Sequence, residues 1–369
     1  MAKPPLTPPI TPRPGIMDIA AYVPGEAKLA GHAEPMQLAA NENSLGPAKS
    51  AMAAYTEAGA SLHRYPDGAA TLLRNAIADA HGLEAGRIIC SAGSDEILCL
   101  LGRSYAGPGD EVLYSAHGFL MYPIITLTVG ATPVAAPETA DLTASVDALL
   151  AAVTLKTRIL FLANPNNPTG TLLPVSELRR LRAGLRDDIL LVIDAAYAEY
   201  VDHPDYDAGA ALVDEGENTV MTRTFSKIHG LAALRLGWCY CPVSIAAVLN
   251  RLRGPFNVGA PSIAAGVAAI GDTGHVERSR AHNLAERKRL QDRLRQLGLN
   301  TPESYGNFIL IRFADGDRAE AALQAMNAGG VIPRRVAGYG LPESLRVTVG
   351  TADENDAVVQ ALTDFVGEG

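Results

Sequence analysis

Lys227 sits in the stretch "RTFSKIHGLAALRLGW" (223–238), a nearly apolar segment that also delivers Arg235. A lysine taken out of water loses proton affinity, becomes a nucleophile and condenses with carbonyl groups. An isolated lysine is ordinarily a surface residue, so Lys227 matters only through its company. Asp194 closes the apolar run "LLVID", with Tyr197 following in "DAAYAEY". A carboxylate at the end of such a run is costly unless it meets a cation or hydrogen-bond donors, although an Asp there can also be a plain helix N-cap. "NPNNPTG" follows the apolar "RILFLA" and fixes the amide of Asn167 at a strand end, where Pro, Asn and Gly otherwise signal only a turn. In "SAGSDEIL", Gly93 permits a tight turn, and Ser94, Asp95 and Glu96 open a helix. Its free N–H groups suit a phosphate, and the same residues are also ordinary cap chemistry.

A nucleophilic lysine, an acid for a ring nitrogen and a phosphate seat are what pyridoxal 5′-phosphate requires of a protein. On this reading Lys227 holds an aldehyde, and Arg235 holds the phosphate of the same molecule. The elements that must position these groups are short apolar runs separated by helical patterns. Strands are expected at 88–92, 111–115, 132–136, 158–163, 189–194, 219–223 and 237–241. Most are continuously apolar rather than alternating, as strands covered on both faces are, so an α/β domain around a mostly parallel sheet of seven strands is expected. In open sheets of this kind ligands bind beyond the carboxyl ends of the strands, where these residues fall. After "RGPFNVGAPS" a long charged helix from about Gly274 to Leu297 leads into "GNFILIRF", a helix, a strand near Val331, "SLRVTVGT" and a last helix, which reads as a smaller α+β domain.

Composition limits the alternatives. The 369 residues are 48% hydrophobic and 19% charged, enough for a large core and two domains. The net charge of −9 opposes nucleic acid and anionic membranes, so any anionic ligand must be held by local arginines or helix ends. No apolar run approaches the roughly 20 residues of a membrane span. The proline-rich start "MAKPPLTPPITPRPG" has no apolar signal core and is expected to be an arm that orders against the body or a partner subunit, in a cytoplasmic protein. The four cysteines form no CxxC pair and the eight histidines no HExxH, so neither a disulfide framework nor a metal is expected.

"NPNNPTG", "DAAYAEY", "TRTFSKIHGLAALRLGW" and "SLRVTVGT", in that order, resemble the fold-type-I pyridoxal-phosphate-dependent aminotransferases. "LAANENSLGP", "HRYPDG" and "GSDEIL" narrow the resemblance to the histidinol-phosphate aminotransferase family. The resemblance implies that Lys227 forms the Schiff base and moves a proton, that Asp194 pairs with the pyridinium nitrogen, and that Asn167 and Tyr197 hydrogen-bond the 3′-oxygen. It gives the cofactor phosphate to the turn at Gly93, Ser94 and Asp95 with Thr224, Ser226 and Arg235, and the stacking ring to Phe119 in "HGFLMY". Tyr65 would reach the neighbouring subunit's cofactor phosphate, which implies a homodimer with shared sites. Arg346 would bind the acidic group of the substrate and Arg334 assist with its phosphate, with Arg335 open to solvent. Tyr22 would belong to an N-terminal lid and Asn43 to the substrate-side wall. The division implied is an arm or lid at 1–40 packing with the small domain, a large cofactor domain at 41–258 and a small domain at 259–369.

The implied reaction is ping-pong transamination of L-histidinol phosphate with 2-oxoglutarate, giving imidazole acetol phosphate and glutamate. An aromatic amino acid aminotransferase is the nearest alternative, and a decarboxylase of a phosphorylated amino acid a more distant one. Ser44 departs from the proline common in that turn, and His229 from the aromatic or small residue that often follows the lysine motif. His229 is placed near the pocket by its spacing, and His117 is read as packed or at the surface rather than catalytic.

Overall fold

The computed structural model describes residues 11–19 and 28–367, so Tyr22 lies outside the described residues. In chain order the strands are β1 (Met36–Gln37), β2 (Ile88–Ser91), β3 (Glu111–Ser115), β4 (Thr132–Ala136), β5 (Thr157–Ala163), β6 (Leu190–Asp194), β7 (Thr219–Thr224), β8 (Gly237–Tyr240), β9 (Phe308–Arg312), β10 (Val331–Ile332), β11 (Arg334–Arg335) and β12 (Ser344–Thr348). Seven of them form one sheet in the order β2-β8-β7-β6-β5-β3-β4. All its pairings are parallel except those of β8, which runs antiparallel to both β2 and β7.

The central strands show why their sequences are continuously apolar. Successive side chains of a strand point to opposite faces. Ile159, Phe161, Leu190 and Val192 therefore enter one core, against the helices Ser94–Tyr105 and Met121–Thr128. Leu160, Leu162, Leu191 and Ile193 enter the other, with Leu178 and Leu181 of the helix Val175–Gly184. Both layers exclude water, so neither register position tolerates a polar residue until the carboxyl ends, where Asp194 appears. β4 lies at the edge, and its side chains are correspondingly half exposed.

A second core gathers around the antiparallel sheet β11-β12-β9, where Ile309, Ile311, Leu345 and Val347 meet the helices Gly316–Ala328 and Ala352–Gly367. The expected charged helix runs Thr273–Gln296, capped by the Asp272 carboxylate on the His275 N–H. The N-terminal region divides its contacts. Arg13 donates to the Thr128 carbonyl at 2.7 Å, on the large-sheet side. Its end joins the C-terminal strands, where β1 pairs with β10 and the Thr348 N–H donates to the Leu38 carbonyl at 2.8 Å.

Candidate active site

The carboxyl ends of the parallel strands open onto a cavity of about 600 Å³. Asp194, Lys227, Asn167, Tyr197, Ser94, Asp95, Thr224, Ser226, Arg235, Phe119, Arg334 and Arg346 all line it. Sequence positions from 94 to 235 converge because separate strands of the large sheet meet at one edge, and Arg334 and Arg346 come to the same cavity from the smaller sheet β11-β12-β9.

Asp194 is 6% exposed. One carboxylate oxygen accepts from the Tyr122 hydroxyl at 3.1 Å and the other from Thr222 at 3.2 Å. Burial, with the charge of Asp95, pushes its pKa up to about 6 against those donors. Lys227 follows β7, and its Nζ donates to the Ala40 carbonyl at 2.9 Å. Enclosure by the cavity walls, reinforced by the charge of Arg346, brings its amine down to about 7, with Glu42 and Asp95 opposing. A lowered proton affinity of this kind is what a nucleophile or base requires.

At the other end of the cavity, Gly93 takes φ 87 before the helix Ser94–Tyr105. A Cβ there would lie 2.5 Å from Arg235 Nη2, so only glycine lets the guanidinium close over the helix start. Arg235 also donates to Ser226 Oγ at 3.2 Å and lies 3.4 Å from Asp95. A Cβ on Gly237 would meet Ser94 N at 2.3 Å, which explains the small residue at the start of β8. N–H groups, hydroxyls and a guanidinium thus face one point, the composition of a phosphate seat.

On the far wall β11 and β12 pair with Arg334 opposite Arg346. Arg346 is buried, donates to Asn167 Oδ1 and to the Ala39 carbonyl at 2.6 Å, and its Nε has no partner among the described residues. Arg335 turns outward to Glu320 at 2.7 Å.

Some expected residues lie elsewhere. Asn43 is outside the cavity lining, because its amide donates to the Ile228 carbonyl at 2.7 Å and to Ser279 at 3.0 Å. The neighbouring Asn41 and Glu42 form that wall instead, with Asn41 in the left-handed region at φ 55 and its amide on the Tyr197 hydroxyl at 3.0 Å. Tyr65 is 83% exposed and stacks on Phe256 with centroids 4.6 Å apart, away from this chain's cavity. His229 does not line the cavity either; it is buried against Phe225 behind it. His117 packs against Glu138 at 2.8 Å. The turn at Ser44 remains closed by the Gly46 N–H on the Asn43 carbonyl at 2.9 Å.

Sequence reasoning did not single out Tyr122, Thr222, Asn41 or Glu42. A tyrosine inside the apolar helix "MYPIITLT" and a threonine directly opposite Asp194 on β7 were the available signals.

The model of aminotransferase class I and II matches residues 33–362. A histidinol-phosphate aminotransferase of Paramagnetospirillum magneticum is 57% identical over 358 residues, covering 96% of this chain and 98% of the relative. One of Rhodospirillum rubrum is 56% identical, covering 97% and 98%. Among solved structures, a histidinol-phosphate aminotransferase of Sinorhizobium meliloti in complex with pyridoxal-5′-phosphate superposes with a TM-score of 0.88 at 26% identity, covering 100% of this chain and 99% of that one. With a shared fold and a match along nearly its whole length, the chain belongs to the class I and II aminotransferases and, within them, to the histidinol-phosphate aminotransferase family.

Proposed function

We propose that the protein transaminates L-histidinol phosphate with 2-oxoglutarate, in the order implied by the family, using pyridoxal 5′-phosphate. The observation that carries this reading is the convergence of Lys227, Asp194 and the paired Arg334 and Arg346 on one cavity.

The residues present fit the cofactor. Asp194 is a buried carboxylate whose partners are all neutral, so it keeps its charge for a protonated ring nitrogen. The seat at Gly93, Ser94, Asp95, Thr224, Ser226 and Arg235 suits the phosphate, Asn167 and Tyr197 the 3′-oxygen, and Phe119 the ring face. When bound, the cofactor supplies an aldehyde for amine exchange and a ring that withdraws electrons from the substrate Cα.

The chain's own residues account for the rest. Lys227 Nζ, whose proton affinity is lowered by its enclosure, would take the proton from the substrate Cα and hold it for return. Asp194 stabilises positive charge on the ring nitrogen through a charge-assisted hydrogen bond. Arg346 offers a planar fork to a carboxylate, and Arg334 beside it adds the second cation that a phosphate dianion requires. One pair of arginines can therefore serve two unlike acids in alternate half-reactions.

The same proposal divides the chain into a cofactor domain at 41–258 and a small domain at 259–369, with 1–40 as the arm. It also includes a homodimer. Tyr65, stacked on Phe256, is 83% exposed, and Leu62 and Leu72 are 67% and 72% exposed, apolar side chains that a second copy would cover while bringing Tyr65 to its site. The free thiols of Cys90, Cys99, Cys239 and Cys241 suit the cytoplasm.

The test is single-turnover conversion of the loaded enzyme by L-histidinol phosphate beside L-phenylalanine, L-tyrosine and L-glutamate. Histidinol phosphate should far outpace the aromatic amino acids. Equal or faster conversion by phenylalanine would make the enzyme an aromatic aminotransferase.

A further inference from the structure

The cavity's charges can be matched one against another. Asp95 lies 3.4 Å from Arg235, and Asp194 takes the hydroxyls of Tyr122 and Thr222. Glu42 is different. It lines the same cavity, yet its carboxylate makes no hydrogen bond or ion pair among the described residues. It lines the cavity with Lys227, and its charge opposes the loss of that lysine's proton. The backbone that carries it is fixed. The Glu42 carbonyl accepts from Asn307 at 3.0 Å, Asn41 before it is buried, and the Ala40 carbonyl holds Lys227. An exposed carboxylate on fixed main chain at the wall of the reaction cavity is available to accept an N–H from a bound ligand.

The amine substrate of the proposed reaction has three recognisable groups. Its amine reacts near Lys227, and its phosphate suits the arginine pair. The imidazole ring remains, an N–H donor that is about half protonated near pH 6.5.

We propose that Glu42 is a specificity-determining residue that receives the imidazole of the amine substrate by accepting an N–H hydrogen bond from it. The inference rests on the histidinol-phosphate reading above. A phenyl ring offers Glu42 no donor, so this side chain favours the imidazole substrate over an aromatic amino acid, while the dicarboxylic co-substrate is held by the arginine pair and gains nothing from it.

Glu42→Gln and Glu42→Ala test this through kcat/KM of the half-reactions with histidinol phosphate, glutamate and phenylalanine. Both variants should fold with an unchanged Tm, because the side chain is exposed. Histidinol phosphate should lose about tenfold, mainly in KM, the size expected for one charge-assisted hydrogen bond. Glutamate and phenylalanine should be unchanged, while Glu42→Asp should recover part of the loss. An equal fall with all three substrates would show that Glu42 serves the ammonium group they share, and would overturn the proposal. If the wild type converts histidinol phosphate and Glu42→Gln keeps its selectivity, the role of Glu42 alone fails. If the wild type is inert to histidinol phosphate, the reading of the reaction fails first.

Discussion

Asp194 and Glu199 are two buried carboxylates on either side of one short loop, and they are treated in opposite ways. Asp194 faces the cavity and is held by neutral hydroxyls, so burial and Asp95 raise its pKa to about 6. Glu199 faces the rear, where it meets Arg223 at 2.7 Å with both side chains 9% exposed. Burial works against its charge too, but Arg223 and His229 outweigh burial and hold it below the usual carboxylate range. The rear pair is complete within the protein. At the front the charge is placed and oriented but left without a counter-ion. A ligand site in this fold is where compensation stops.

The largest break in that contrast is at the reacting amine. Lys227→Ala should remove turnover by roughly four orders of magnitude, the upper range for losing a general base. Its thermal stability should equal or exceed the wild type, since an amine out of water is a cost to folding. Single-turnover absorbance and calorimetric Tm on the same sample check both halves.

Next, the two acids should separate function from stability. Asp194→Asn should lower turnover by about 10² while leaving the apoprotein as stable or more so near pH 7, because an uncompensated charge has been removed. Glu199→Gln should do the reverse, costing about 3 kcal/mol in urea unfolding by leaving Arg223 without its partner, with kcat per folded molecule nearly unchanged. Loss of turnover in Glu199→Gln, at full occupancy and full folding, would erase the distinction drawn between front and rear.

The pH dependence sharpens it. Asp194 has a folded pKa of about 6 against the ordinary 3.8 of an aspartate. A raised folded pKa gives stability that is fully present below 3.8 and lost as pH rises through about 6, here up to about 3 kcal/mol. The stability advantage of apo Asp194→Asn over wild type should therefore grow from about pH 4 to pH 6 and then level. Urea midpoints across that range measure it.

The strands were legible because each of β5 and β6 must satisfy two apolar layers at once, which leaves a continuous hydrophobic run in one dimension. Lys227, Asp194 and Arg235 stood out for the related reason that their chemistry conflicts with their surroundings. The site's supporting residues carry no such conflict. Tyr122 reads as one more aromatic in a buried helix, and only the packing of that helix beneath β6 turns its hydroxyl onto Asp194. Asn43 and Asn41 are equivalent in a string of letters. The left-handed backbone at Asn41 and the helix Thr273–Gln296 behind Asn43 decide which of them faces the cavity. His229 looked close to the pocket because it follows Lys227 by two positions, but the chain turns at Gly230, φ 67, and buries the ring against Phe225.

His229 gives the smallest effect. Its Nδ1 has no partner among the described residues, and burial brings its pKa from 6.5 down to about 4. It is therefore neutral near pH 7 and touches no residue that handles substrate, so His229→Phe should change kcat by less than about twofold and stability by about 1 kcal/mol. A lowered folded pKa on a base gives stability that is present above 6.5 and lost as pH falls through that value toward 4. Removing the ring removes that loss, so the stability of His229→Phe relative to wild type should rise as pH falls from about 6.5 to 4. Asp194→Asn should gain in the opposite direction over nearly the same interval. Urea midpoints of both apoproteins on one pH series place the two slopes side by side, and parallel slopes would show that the front and rear of this wall are not electrostatically distinct.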